Sequence, residues 1–373
     1  MISAPRSVIA VAALATLLAA CTTSTSAGPA RTPGKSSAPS KARRGSSTAA
    51  APGSTRPSRP SGEFTISFAG DVHFSGRVRA RLDRDPATVF AQAAPVLGKA
   101  DLTMVNLETA ITNGGVKQPK LFNFRAPASA FTALRDAGVD VVTMANNHGA
   151  DYGLPGLQDT FKAIARSHFP VVGIGPNAAR AYAPYTTTLN GVRIAIFGGD
   201  QVRDETTLTY FSAGPHSAGV ANAYSPKLID AVTRARAAGY VVIVYLHWGI
   251  EYTTCPSGDQ SELAAELARA GASAVIGTHA HVLQGAGWRP DGTYVAYGLG
   301  NYLWWMNFGN NQDDNGVLTL TFRHSSVVAD SFAPAHLDPR GVPLPATGAE
   351  KRRIDGEWQA DRQCTDLSAT PPR

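Results

Sequence analysis

Residues 247–284 read HWGIEYTTCPSGDQSELAAELARAGASAVIGTHAHVLQ, and the fold is decided here. The apolar run 241–246 just before it has the length and β-branched content of a buried strand. His247 stands where that strand ends. A turn-rich segment follows, then a predicted helix over 260–270. A second apolar run, 274–276, ends in Gly277-Thr278-His279-Ala280-His281. Two strand ends therefore deliver histidines to one edge of a sheet. In open α/β sheets, sites lie outside the carboxyl ends of the strands. Imidazoles gathered there point to a metal.

Working outward, the same punctuation recurs. FTISFAG, from Phe64, alternates as a strand and ends at Asp71-Val72-His73. Residues 101–105 form a predicted strand tipped by Asn106-Leu107-Glu108. Residues 139–144 form another, tipped by Asn146-Asn147-His148. Helices are predicted over 87–98, 128–137, 157–167 and 226–238, with Gly138 closing the second. Residues 185–189 and 192–197 flank Asn190-Gly191, a hairpin signal. Strands are also expected over 171–172, 282–288, 294–298 and 317–322. The alternation implies an α/β domain with a mixed sheet or two packed sheets. It occupies 62–337, and the polar, Pro-rich residues 338–373 read as an irregular tail.

The chain has 373 residues and a formal net charge of +6. Residues 1–61 hold eight basic side chains and no acid, so removing those eight from +6 leaves −2 for residues 62–373. No basic stripe remains, which argues against nucleic acid as the partner. Residues 1–20 carry Arg6 and then an apolar stretch too short to span a bilayer, a signal segment rather than structure. It ends in Leu18-Ala19-Ala20-Cys21, which resembles the lipobox of bacterial lipoproteins. That resemblance implies lipidation of Cys21 and an extracytoplasmic, membrane-anchored protein; the alternative is a secretory signal with a chance cysteine. Residues 21–61 are Ser, Pro, Ala and basic residues, too poor in apolar side chains to fold. Cys255 and Cys364 are compatible with a disulfide in an oxidising compartment, and the sequence does not decide it.

Set together, the strand tips offer Asp71, His73, Glu108, Asn146, Asn147, His148, His247, His279 and His281. Five of the nine histidines fall there. Mixed imidazole nitrogen and hard oxygen suits Mn, Fe or Zn. The set exceeds what one four-coordinate zinc uses and is about what two metals need.

The order Asp-x-His, acidic tip, Asn-His, lone His, Gly-x-His-x-His is similar to that of calcineurin-like metallophosphoesterases. The strings GDVHFSG, NLETAIT, NFRAP, ANNHGADYG, HWGIEY, GTHAHVLQ and YGLGNYLW resemble the CapA family, linked to poly-γ-glutamate capsule synthesis. The resemblance covers about 64–303. It implies a four-layer sandwich of two mixed β-sheets flanked by helices, holding two divalent transition-metal ions. Asp71, His73 and His281 would hold one metal, Asn147, His247 and His279 the other, and Glu108 would bridge. His148 would be the general acid, with Asp151 orienting its ring. Arg125, Asn146, Glu251 and Tyr252 would contact substrate. Three departures stand out. Glu108 replaces the usual Asp. The doubled Asn leaves Asn146 competing with Asn147 as ligand. Ala280 stands where the family usually has Pro. The implied function is hydrolysis or transfer at a phosphoester during synthesis or export of an anionic polymer, beside a membrane poly-γ-glutamate synthase. The alternatives are a non-catalytic polymer-binding subunit or a general secreted phosphoesterase.

Overall fold

The computed structural model describes residues 60–204 and 206–373. The signal segment, Cys21 and all but the last two residues of the expected linker lie outside the described residues. Period-2 alternation builds the centre of the molecule. Along the strand Glu63–Val72, Phe64, Ile66 and Phe68 face one way, and Ala69 and Val72 the other. Along Val241–His247, Ile243 and Tyr245 oppose Val242, Val244 and Leu246. Strands apolar on both faces must be covered on both.

Two mixed sheets result. In one, Glu63–Val72, Leu102–Leu107, Val141–Thr143 and Val171–Val172 run parallel, and Asp314–Arg323 and Ser326–Leu337 extend the sheet antiparallel. In the other, Val192–Asp200, Val241–His247, Ala272–Thr278 and Tyr294–Ala296 run parallel, with Tyr185–Leu189 and Ala286–Trp288 antiparallel at its edges. Ile66, Phe68 and Met104 meet Ile196, Ile243, Tyr245 and Ile276 between the sheets. Outside the first sheet, Val105 and Val142 meet Val78, Leu82, Phe131 and Leu157 of the helices. Outside the second, Val242 and Val244 meet Leu228, Val232, Leu263 and Leu267. The order is helix, sheet, sheet, helix, the expected four layers.

Local signals explain several boundaries. Asn190 (φ 42°) and Gly191 (φ 82°) make the predicted hairpin turn. The helix Gly258–Ala270 starts two residues before the predicted position because Ser257 and Gln260 form a reciprocal cap, and it ends at Gly271 (φ 100°). Three expectations fail. Residues 87–98 form only a 3-10 turn, Pro86–Thr88, and a short helix, Ala94–Leu97, because Pro95 has no N–H to continue a longer one. Residues 282–285 are not strand, apart from an isolated bridge of Leu283 to Leu299; the strand is Ala286–Trp288. The tail is not irregular: Pro343–Pro345 joins the first sheet and Gly348–Asp361 is a helix. That helix is polar except for Ile354 and Trp358, one turn apart, and Trp358 stacks on Phe332 at 4.3 Å. Two apolar residues give too weak a pattern to read.

Cys255 and Cys364 are joined across 109 residues, the pairing the sequence left open. The bond ties the loop after His247 to the C-terminal segment. Closing so long a loop restricts the unfolded chain, so Cys255→Ser/Cys364→Ser is expected to lower stability by about 4–5 kcal/mol. Urea midpoints of the two proteins measure this, and equal midpoints would refute it.

Candidate metal centre

The inward-facing rows of both sheets run on past the last apolar residue. Asn106 follows Met104 on the same face, His247 follows Tyr245, and Thr278 follows Ile276. Alternation alone therefore puts three polar side chains in the seam between the sheets, at the strands' carboxyl ends. Asp71 joins them where the strand register shifts, a bulge that re-aims its side chain. Gly70 and Gly277 permit the close approach. A Cβ on Gly70 would lie 1.9 Å from Gly300 O, and one on Gly277 would lie 2.0 Å from Trp248 Nε1.

Donor atoms converge here beyond what hydrogen bonding satisfies. His247 Nε2 has Asn147 Oδ1 at 3.0 Å and His279 Nδ1 at 3.1 Å. One proton can bridge only one of those contacts, whereas a cation satisfies both. Both oxygens of Glu108 are buried without a hydrogen-bond partner, with His148 Nε2 and His247 Nε2 each 3.7 Å from Oε1. Asp71, Glu108 and His281 lie within ligating reach of one another, as do Glu251, His279 and His281. The residues fit divalent metals of the kind bound by mixed N/O sets. Buried polar groups are normally paired, so the orphaned carboxylate is the sharpest sign.

Neighbours set the orientation of the ligands. His281 Nδ1 donates to Asn301 Oδ1 at 2.8 Å, which leaves Nε2 as the ligating atom. Asn106 donates to Asp71 Oδ1 at 2.7 Å and lies 3.1 Å from His247 Nδ1. The His279 N–H donates to Asp71 Oδ2 at 3.2 Å. Three non-glycine residues here have positive φ: Tyr252 (65°), His279 (96°) and His281 (57°). Such strain persists where the surroundings over-determine it, typically at sites.

Burial dominates the electrostatics. It pushes Glu108 well above the usual carboxylate range, helped by Asp71, Glu251 and Asp151, and it raises Asp71. It holds His73, His247 and His279 well below the usual histidine value, so these rings are neutral and able to ligate. His148 is lowered by burial and pulled back up by Asp151, whose Oδ2 accepts its Nδ1 proton at 2.7 Å.

The remaining expected residues differ in their surroundings. His73 is buried beside the cluster and stacked on Trp304 at 4.1 Å, but its Nε2 accepts the Trp305 N–H at 3.0 Å. Its Nδ1 is buried without a hydrogen-bond partner, as the Glu108 oxygens are. Asn146 is no rival to Asn147 and no substrate contact. It is fully buried, and its amide serves Asn106, Leu107 O and the His148 N–H. Arg125 is no clamp on the cluster: its guanidinium lies over Tyr152, 4.8 Å from the ring centroid, and donates to Asn113 O. Glu251 and Tyr252 sit at the exposed rim, with the Tyr252 ring 6.1 Å from that of His281. Phe124, 4.2 Å from the His73 ring and 4.4 Å from that of His148, and Trp304 wall the site. Phe124 lies inside the NFRAP string, where its neighbour Arg125 draws the eye instead.

The sequence pattern of the bacterial capsule synthesis protein family PGA_cap matches residues 65–304, well over half of the chain. The chain belongs to that family. The PGA_cap relatives include the PGA biosynthesis protein CapA of Bacillus subtilis, 29% identical over 67% of this chain and 66% of that one. The capsule biosynthesis protein CapA of Bacillus anthracis is 27% identical over 79% of this chain and 73% of that one. The chain thus spans just under two thirds of the first relative's length. Among solved structures, the sulfate thiohydrolase SoxB of Thermus thermophilus aligns with a TM-score of 0.43 at 13% identity, over 82% of this chain and 61% of that one.

Proposed function

We propose that this PGA_cap protein is a metal-dependent hydrolase acting on a phosphoester in the synthesis or export of poly-γ-glutamate or a related anionic polymer. The observation that carries the reading is the unpaired, buried Glu108 carboxylate facing His148 Nε2 and His247 Nε2, with the His148–Asp151 pair alongside. Asp71, Glu108 and His281 would hold one metal and Asn147, His247 and His279 a second. Such ions supply a nucleophilic hydroxide and offset charge on the phosphoryl oxygens. The chain's own groups do the rest. Asp151 accepts the His148 Nδ1–H and stabilises the imidazolium, in which Nε2 faces the cluster carrying a second proton that it can hand to the leaving oxygen. Phe124 and Trp304 keep bulk water from that face. Asn301 and Asn106 hold His281, Asp71 and His247 in place.

The polymer assignment rests on the named role of the two CapA relatives, and a membrane synthase complex is the partner that role suggests. The dyad favours turnover over a polymer-binding subunit, which would have no use for an acid. Protein purified from Mn-, Fe- and Zn-supplemented cells should carry close to two metal ions and hydrolyse bis-p-nitrophenyl phosphate. Metal-free protein from all three media would end the proposal.

We also propose that the chain is exported and anchored by lipid at Cys21. The Cys255–Cys364 bond supports an oxidising compartment. Among the described residues no helix is long and apolar enough to cross a membrane. Cys21→Ser should move the protein from the membrane pellet to the soluble fraction; retention in the pellet would count against the anchor.

A further inference from the structure

Lys120 was not singled out by any sequence pattern, yet its side chain is about nine-tenths buried. Its ammonium lies 2.6 Å from Asp151 Oδ1, donates to the backbone carbonyl of Asn147, and lies 3.4 Å from Asp204 Oδ2. Two of its three donors reach the Asn147 carbonyl and Asp204 Oδ2, and its charge pairs with the buried Asp151 Oδ1, which has no hydrogen-bond partner. The other oxygen of Asp151 accepts His148 Nδ1 at 2.7 Å and the Phe124 N–H at 2.5 Å. The Asn147 carbonyl also accepts the Thr207 hydroxyl at 2.6 Å. Asp204 meanwhile accepts the N–H groups of Thr207 and Leu208.

We propose that Lys120 is the positioning residue of the His148–Asp151 pair. One ammonium fixes the Asp151 carboxylate and the Asn147 peptide together. It thereby aims His148 Nε2 and Asn147 Oδ1, from consecutive residues, at the same cluster. An exposed ion pair contributes little because water competes and the side chains are free to move. Neither applies here. Without Lys120, Asp151 Oδ1 is left buried and uncompensated, and the carboxylate gains the freedom to rotate away from His148. The consequence for turnover rests on the hydrolase reading; the geometry does not.

The test uses full-length protein with Lys120→Met, which keeps length and removes charge, and Lys120→Arg, which keeps charge. In zinc-loaded wild type, the His148 Nδ1 proton should give a resolved, slowly exchanging NMR signal. Lys120→Met should lose that signal and Lys120→Arg should keep it. With metal content unchanged, Lys120→Met should lower kcat for an alkyl phosphodiester, whose leaving oxygen needs the His148 proton, about 10- to 100-fold, the range seen for groups that orient site residues. KM should stay within about twofold, and Lys120→Arg should recover part of kcat. A Lys120→Met protein with the signal intact and kcat within about twofold of wild type overturns the proposal. If the wild type hydrolyses nothing, the hydrolase reading fails and the NMR arm still decides the clamp. Should Lys120→Met not fold, the wild-type Lys120 ammonium protons decide it: slow exchange with water supports the clamp, fast exchange overturns it.

Discussion

Glu108→Gln is expected to strengthen the metal-free protein and to disable the metal-loaded one. Neither Glu108 oxygen has a hydrogen-bond partner, and burial plus the charges of Asp71, Glu251 and Asp151 disfavour its ionised form. An unsatisfied buried group costs about 1–3 kcal/mol, more when charged. The amide is neutral, nearly isosteric, and has His148 Nε2, whose proton sits on Nδ1, close by as an acceptor. Metal-free Glu108→Gln should therefore be more stable at pH 7 by about 1–3 kcal/mol. With metal present the sign reverses. A ligand held at 1,000 times its Kd stabilises by about 4 kcal/mol, and losing one charged ligand should cut affinity by at least about 100-fold. The pH dependence has a fixed sign. Because the folded-state pKa of Glu108 is raised, the folded protein holds this proton more tightly than the unfolded chain. That stabilisation is complete below the ordinary glutamate value and is lost as pH rises through the folded value. The stability difference between mutant and wild type, both metal-free, should thus grow with pH across that window. Urea titrations with and without Mn²⁺ at several pH values measure all three effects. A mutation that shifts the midpoint the same way with and without metal would mean Glu108 is not a ligand.

The residues that carry this prediction were legible because strand periodicity and site chemistry coincide. The apolar row ending at Tyr245 continues directly into His247, and the row ending at Met104 into Asn106. Reading where a strand ends is therefore enough to say which polar groups enter the seam. Turn chemistry was equally local: Asn190-Gly191 and the Ser257 cap lie within a few residues of what they control. What the sequence hid depends on distant partners. Lys120 is 31 residues from Asp151 and 84 from Asp204, and nothing beside it marks it as buried. Asn301 stands 20 residues from the His281 ring it orients. Arg125 misled for the same reason. A guanidinium next to a site-lining string suggests a clamp, but the Tyr152 face is the partner within reach. With Asn146 and Asn147 adjacent, spacing cannot tell which turns toward His247 and the cluster. The bonds of Asn146 to Asn106 and Leu107 O decide it.

Removing the acid should have a graded effect, and the gradient is the informative part. His148 donates Nδ1–H to Asp151 and turns Nε2 toward Glu108, at 3.7 Å, where a leaving oxygen would emerge. General acids of this kind are worth about 10²- to 10⁴-fold. That factor applies only when the departing oxygen needs a proton. A p-nitrophenolate leaves without one, whereas an alkoxide, as in a sugar- or glycerol-linked phosphoester, does not. His148→Ala should thus lower kcat by about 10²- to 10⁴-fold for alkyl esters and much less for bis-p-nitrophenyl phosphate. Metal content should be unchanged, because neither candidate ligand group includes His148. A ring that served only to pack against Phe124 would behave differently: its loss would impair both substrates alike through a distorted site. Measuring kcat against leaving-group pKa in wild type and mutant separates the two cases. The mutant should show the steeper slope, and parallel lines would remove His148 as the proton donor.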